Sequence, residues 1–406
     1  MFGKLLSSRV DTDIEKINNI LVRGVEDVFV KESLRKRLLS GKKLRIKFGV
    51  DPTGSRIHIG RAVPLRKLKK FQDLGHQIVF IIGDFTAQIG DPSDKLEKRP
   101  GLTYAQVKEN ISTYRQQIGK ILNLSKTEFH FNSKWLHTLN FQKISELSEM
   151  FSVSQMLERR NFKDRYLKGE EISVREFLYP LIQGYDSVMV KADVEIGGFD
   201  QLFNLKAGRV IQKKYGFPEQ DVLTVSMLSG TDGIKMSTTW GNVINITDTP
   251  SDMFGKTMSV SDDLIEQYFL LCTDIGAEEI KEIGESIRNH RVNPKDHKVR
   301  LAKEIVSIYH GKKEAKKAEE GFFRVFKDGA IPNDAPKVSV GKGVNLVDIL
   351  VEQGIVSSKT EGRRLIEDGA VYDVVTSRKI NDVNEKIFQN LILKVGKKRF
   401  IKISIK

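Results

Sequence analysis

The chain has 406 residues, 39% hydrophobic and 30% charged, with a formal net charge of +14. That length supports two to four domains and at least one large core. A single cysteine, Cys272, excludes a disulfide framework and a cysteine zinc site, and no apolar run approaches the length of a membrane span. The start, MFGKLLSSRVDTDIEK, turns acidic too soon for a secretory leader, so a reducing cytoplasm is the expected compartment. Charge is uneven. Lys337 to Lys406 holds 14 Lys/Arg against 8 Asp/Glu, which is +6 in 70 residues. Such a tail suits a polyanionic partner.

In chain order, Leu44 to Val50 (LRIKFGV) has the pattern of a strand and Ala62 to Leu74 that of a helix. Gln77 to Ile82 (QIVFII) is a continuous apolar run, as expected of a strand buried on both faces. Thr103 to Leu122 is a predicted helix with Thr103 as its N-cap. Val174 to Lys191 and Asp200 to Tyr215 are two more. Strand, helix, strand at this spacing predicts an α/β fold with a parallel sheet covered by helices. After about Thr249 the strand signal fades. Asp262 to Cys272, Ala277 to Asn289 and Asp296 to Phe326 read as helices, with KKEAKKAEE at Lys312 to Glu320 as a solvated face. Asp328 to Asn345 holds Pro332, Pro336 and several glycines without periodicity, and reads as a linker before a compact final module.

Two short motifs stand out. DPTGSRIHIGR (Asp51 to Arg61) lies where the first strand ends and the first helix begins. A helix N-terminus offers unpaired N–H groups and a positive dipole end to a phosphate. His58 can add a donor there, Thr53 a hydroxyl and Asp51 an acceptor. Gly60 leaves room for a base or ribose against the helix. The loop LSGTDGIKMSTTWGN (Leu228 to Asn242) carries Lys235, Met236 and Ser237 between glycines and is expected to be mobile. Lys235 can stabilise charge that develops on a leaving pyrophosphate. Taken alone, a histidine before a helix is commonly structural, and a lysine on a loop is commonly an ordinary basic turn.

With both motifs in place, the chain resembles the class I aminoacyl-tRNA synthetases, and within them the bacterial tyrosine-specific branch, over nearly its full length. Four further stretches carry the match. They are VFIIGDFTAQIGDPSDK (Val79 to Lys95), FLYPLIQGYDS (Phe177 to Ser187), VEIGGFDQLFNLKAGR (Val194 to Arg209) and NLVDILVEQGIVSSKTEGRRLIEDGAVYD (Asn345 to Asp373). The resemblance implies a Rossmann-like parallel-sheet catalytic domain over 1–248 and an α-helical domain over 249–327. A linker at 328–344 and a small α+β S4-like RNA-binding domain at 345–406 complete the expected layout. It also implies ATP with magnesium, L-tyrosine and tRNA(Tyr) as substrates, a homodimer, and no permanently bound metal.

The resemblance assigns roles residue by residue. Tyr179, Gln183 and Asp186 share one helix face by spacing, and by the match that face surrounds the substrate. Asp186 would accept from the phenolic hydroxyl. Tyr179 and Gln183, with Asp91, would hold the amino group. Gly49 joins that site, and Phe85 and Thr86 would line its floor. Asp200 and Gln201 would contact ribose and substrate carboxylate. His58, Lys235, Thr53 and Arg61 would be catalytic, and Asp51, Gly60, Met236 and Ser237 would bind ATP. In the final module Lys359, Arg363 and Arg364 form a basic helix face suited to an RNA backbone.

The chain departs from the family pattern at three places. Arg61 stands where the family usually has His. Thr238 stands where its loop usually has a second lysine, which predicts slower adenylate formation. Lys47 stands where a tyrosine often helps to bind the phenol. A tryptophan-specific sister shares both motifs but has no use for Asp186. A small nucleotidylyltransferase would lack the KMS loop and the basic tail. A degenerate synthetase kept for RNA binding draws support from Arg61 and Thr238 alone. Cys272, Trp135 and Trp240 carry no functional argument from their sequence context.

Overall fold

The computed structural model describes residues 10–93, 101–236, 241–289, 292–328, 335–374, 378–396 and 399–406. The chain forms two compact units. One comprises Met1–Thr249 with Lys256–Tyr309, the other Pro250–Gly255 with His310–Lys406.

The first unit is built on a six-stranded sheet of β1 (Val25–Phe29), β2 (Arg45–Val50), β3 (Gln77–Ile82), β4 (Thr127–Phe131), β5 (Val194–Gly198) and β6 (Asp221–Val225). Its strand order is β1-β6-β5-β2-β3-β4, parallel except for β1, which runs antiparallel on β6. β3 is inaccessible from its second residue onward, as its unbroken apolar run requires of a central strand covered on both faces. The helices that cover the sheet include α1 (Ile59–Asp73), α2 (Val174–Met189) and α3 (Leu202–Lys214). Helices α2 and α3 pack together through Gly184, where a Cβ would lie 2.7 Å from Ile211 and 3.0 Å from the Gly208 nitrogen.

Local signals place most elements. Thr103 caps its helix with a full capping box to Gln106. The helix expected to run on to Leu122 instead breaks into Tyr104–Ile111 and Tyr114–Ile118. The expected helix 296–326 is two, Pro294–His310 and Lys312–Asp328, split at Gly311, whose φ of 88° ends the first. In the charged run at its start only Ala315 and Ala318 are buried, so the rest is a solvated face.

The second unit contains a four-stranded sheet of β7 (Lys337–Val340), β9 (Val371–Asp373), β11 (Leu391–Val395) and β12 (Arg399–Ile405), in the order β7-β12-β11-β9. A short pair, β8 (Val344–Asn345) and β10 (Lys386–Ile387), lies beside α4 (Leu346–Glu352), which packs on α5 (Lys359–Glu367). Strand β7 falls in the stretch read as a linker. It forms because Val338 and Val340 pack on the core of Leu346, Leu350, Ile366, Leu393 and Ile401. The architecture is the expected mixed α/β one.

Candidate active site

The turn after β2 is clamped from outside. Asn110 donates to the Pro52 carbonyl at 2.8 Å, and Gln117 both donates to the Ser55 carbonyl and accepts from the Ile57 N–H. His58 is the N-cap of α1, and its Nδ1 accepts from the Arg61 N–H at 3.4 Å. An accepting Nδ1 leaves the ring proton on Nε2. Burial, reinforced by the Arg61 charge, pushes the His58 pKa down to about 4. The ring is therefore a neutral donor at physiological pH.

Arg61 is committed to the same turn. Its guanidinium donates to Thr53 Oγ1 at 2.5 Å and to the Tyr114 hydroxyl at 3.3 Å, and Tyr114 in turn donates to the Gly54 carbonyl at 2.7 Å. Glycine at position 60 has a visible reason. A Cβ there would lie 2.8 Å from Met236 Sδ and 3.1 Å from His58 Nδ1. The Met236 loop thus rests on the N-terminus of α1. That loop closes on itself through the Gly230–Ile234 backbone bond and through Asn242, which donates to the Lys235 carbonyl and to Asp232.

Helix α2 starts at Ser173 with a capping box to Glu176 and carries Tyr179, Gln183 and Asp186 inward. Asp186 is 4% exposed. It accepts from the indole N–H of Trp135 at 2.7 Å and from Asn132 Nδ2 at 3.2 Å. Burial raises its pKa to about 6, with the Lys47 ammonium pulling the other way. Tyr179 donates to Asp51 at 2.9 Å, and burial against that carboxylate raises its pKa far above the usual phenol value.

Next to these lies a polar cluster. Gln201 donates to Asp91 at 2.6 Å, and Asn204 donates to Gln183 Oε1, Gln201 Oε1 and Ser93. Arg159 backs the cluster. Its guanidinium sits between the rings of Phe162 and Phe203 and donates to Ser93 and Asn204.

All residues expected at the tyrosine and nucleotide ends border one cavity of about 870 Å³, with two exceptions. Ser237 lies outside the described residues, as does Thr238. Phe85 does not border the cavity and packs edge-on against His137 at 5.0 Å. The cavity lies within the ~300–1,000 Å³ usual for small-molecule sites. One end presents helix N–H groups and a neutral imidazole, which suit an anion. The other presents a buried carboxylate, which suits a hydroxyl donor. Lys359, Arg363 and Arg364 lie on α5 in the second unit. Lys359 pairs with Asp348 at 2.7 Å, and both arginines are exposed.

Sequence reasoning missed Asn132 and Trp135, which orient Asp186, and Tyr114, which holds Arg61. It also missed Gly83, where any Cβ would overlap Asp51 and Thr86. Within QIVFIIGDFT only the break from apolar strand to glycine hinted at that last contact.

The family model described as "tRNA synthetases class I (W and Y)" matches residues 39–327, and "Tyrosine--tRNA ligase SYY-like C-terminal domain" matches residues 326–403. The tyrosine–tRNA ligase of Thermotoga maritima is 46% identical over 388 residues, covering 95% of this chain and 96% of that protein. The tyrosine–tRNA ligase of Carboxydothermus hydrogenoformans is 45% identical over 405 residues, covering 96% and 98%. Among solved structures, an Archaeoglobus fulgidus tyrosyl-tRNA synthetase complexed with L-tyrosine shares the fold. Its TM-score is 0.61 at 21% identity, over 76% of this chain and 100% of that one. With so much of the length matched on both sides, the chain belongs to the tyrosine–tRNA ligases, within the class I tRNA synthetases.

Proposed function

We propose that the cavity binds L-tyrosine and ATP side by side, joins them as tyrosyl-adenylate with release of pyrophosphate, and passes the tyrosyl group to the 3′ end of tRNA(Tyr). The observation that carries this reading is Asp186. It is a buried, braced carboxylate in a cavity that also contains the N-terminus of α1. A phenolic hydroxyl gives Asp186 a donor. Phenylalanine leaves it with Trp135 and Asn132 alone and forgoes a bond to a charged group worth about 1.5–3 kcal/mol.

No side chain acts as nucleophile. The tyrosine carboxylate attacks the α-phosphorus of ATP, the bond to the β-phosphate oxygen breaks, and pyrophosphate leaves. Asp91, Tyr179 and the remaining lone pair of Gln183 Oε1 hold the ammonium group. Asp200 and Gln201 orient ribose and carboxylate, and Gly49 and Thr86 border the tyrosine. His58 Nε2–H donates to the phosphate oxygens as their charge grows, and Lys235 meets the pyrophosphate. Thr53 and Arg61 shape the turn that receives the phosphates. ATP takes the space over Gly60 that Met236 fills, so Met236 moves with the nucleotide, Ser237 binds ATP beside it and Asp51 keeps the turn in place. A ribose hydroxyl of tRNA then attacks the tyrosyl carbonyl, and AMP leaves. Magnesium arrives with ATP, bound mainly by phosphate oxygens and water. Among the described residues no group of three or more His, Cys, Asp or Glu is placed to hold a metal.

The tRNA is gripped outside its acceptor stem by the S4-like module at 345–406, through Arg363, Arg364 and Lys359. The helical part at 249–327 lies toward the anticodon stem and the catalytic part is 1–248; of the stretch 328–344 expected as a linker, β7 and Val344 belong to the final module instead. The enzyme works in the cytoplasm as a homodimer. Exposed Phe141, Val153, Leu167 and Val174 give a second copy apolar surface to cover. Among the described residues no helix is long and apolar enough to cross a membrane. ATP–pyrophosphate exchange with each of the twenty amino acids tests the proposal. Exchange with tyrosine alone is expected, and exchange with tryptophan or with none overturns it.

A further inference from the structure

Lys47 on β2 and Glu195 on β5 are register partners in the sheet, at 0% and 1% exposure. Lys47 Nζ lies 2.8 Å from Glu195 Oε1. It also donates to Ser187 Oγ at 2.7 Å and to the Gln183 carbonyl at 2.9 Å. Glu195 accepts in addition from Gln183 Nε2 at 3.2 Å, Ser187 Oγ at 3.0 Å and Gln220 Nε2 at 2.5 Å. Such a pair is a poor source of stability. Desolvation of two ions offsets most of their attraction, and apolar residues of similar volume often serve as well. Its contacts suggest another purpose, because they converge on α2 at Gln183 and Ser187, the residues that bracket Asp186.

We infer that Lys47 and Glu195 determine specificity by position: they lock α2 at Gln183 and Ser187, and Lys47 supplies the buried positive charge that keeps Asp186 an acceptor for a phenolic hydroxyl. The inference rests on the tyrosine reading of the site and deepens it. The charged groups facing Asp186 from the sheet are Lys47, which favours its ionised form, and Glu195, which opposes it. The segment after β4 faces it with Trp135 and Asn132, both neutral. On its own helix Tyr179 lies within the field of Asp186, Asp51 and Asp91. Lys47 acts on Asp186 more strongly than Glu195 does, so loss of both charges leaves burial to favour the protonated carboxyl, and tyrosine then loses its advantage over phenylalanine.

The test uses the full chain with Lys47→Met/Glu195→Met and, separately, Glu195→Gln. The readouts are thermal unfolding, and KM and kcat for tyrosine and phenylalanine in pyrophosphate exchange from pH 5 to 9. The double variant should fold, raise the tyrosine KM at least about tenfold while changing kcat and the ATP KM less than about threefold, and move the pH midpoint of tyrosine binding upward. Glu195→Gln removes the opposing charge and should move that midpoint downward. Folded variants with the wild-type tyrosine KM, tyrosine-to-phenylalanine ratio and midpoint overturn the inference. If the double variant does not fold, the Glu195→Gln midpoint decides alone, and an unmoved midpoint overturns it. Wild-type enzyme that shows no tyrosine-dependent exchange instead sinks the tyrosine reading itself.

Discussion

Asp51 accepts from the Tyr179 hydroxyl through Oδ2 at 2.9 Å and from Thr86 through Oδ1 at 2.6 Å. One carboxylate at the end of β2 thus ties the nucleotide turn to the helix that faces the proposed amino acid. Tyr179→Phe removes one hydrogen bond from this half-buried carboxylate, which costs about 1.5–3 kcal/mol. The expected result is a roughly ten- to hundredfold loss in kcat/KM for tyrosine in pyrophosphate exchange. Gly83→Ala should do at least as much, because its methyl group meets both Asp51 and Thr86.

Tyrosine binding should depend on pH through Asp186. Its folded pKa is about 6, raised from 3.8 chiefly by burial. A phenol donates to the ionised form, so the tyrosine KM should rise as pH falls through about 6 and level off above it. Asp186→Asn should flatten this profile and collapse the preference for tyrosine over phenylalanine. A wild-type KM unchanged from pH 5 to 8 would exclude this role.

His58 should contribute no titration. With a pKa near 4 its ring is uncharged throughout the working range. The adenylation rate of wild type and of His58→Asn should therefore share the same pH profile above pH 5.5. His58→Ala should be about 10²–10³ slower, as for the loss of one transition-state donor. Stopped-flow adenylation measures both, and a rate step near pH 6 that disappears in the Asn variant would contradict the neutral-donor role.

Adenylation should be slower than in relatives whose loop carries two lysines, and Thr238→Lys should speed it. Lys235→Ala should cost a few kcal/mol of transition-state stabilisation. Pre-steady-state adenylation by wild type and both variants is the check. A rate indifferent to Lys235→Ala removes that residue from the mechanism.

Arg363→Ala/Arg364→Ala should weaken tRNA binding and lower the slope of log affinity against log salt by about one per lost phosphate contact. Pyrophosphate exchange should be untouched. Reduced exchange would contradict the division of labour between the two units.

Much of this was legible in one dimension. The strand-to-helix turn at Asp51–Arg61, the shared helix face of Tyr179, Gln183 and Asp186, and the buried strand QIVFII all follow from patterns spanning a few residues, and such signals are local. The resemblance extended them to named roles. What surrounds those residues was not legible. Trp135 meets Asp186 across 51 positions and Arg61 meets Tyr114 across 53. Nothing near Trp135 in the chain marks it as the partner of a carboxylate. The helix broken at Ser112–Thr113 and the strand within the expected linker were missed for a related reason. Each follows from packing against residues far away in sequence.

The amino-acid order was enough to establish an α/β chain with a strand-to-helix anion turn, a lysine loop and a basic tail, because each is written in adjacent residues. Which charges share the buried space was settled by the strand order β6-β5-β2-β3, which sets β5 against β2 although β3 and β4 intervene along the chain. That arrangement alone brings Lys47 to Glu195, where both meet Gln183 and Ser187 on either side of Asp186 in α2. Electrostatics in a dry interior depends on distance in space, and no local pattern records that distance.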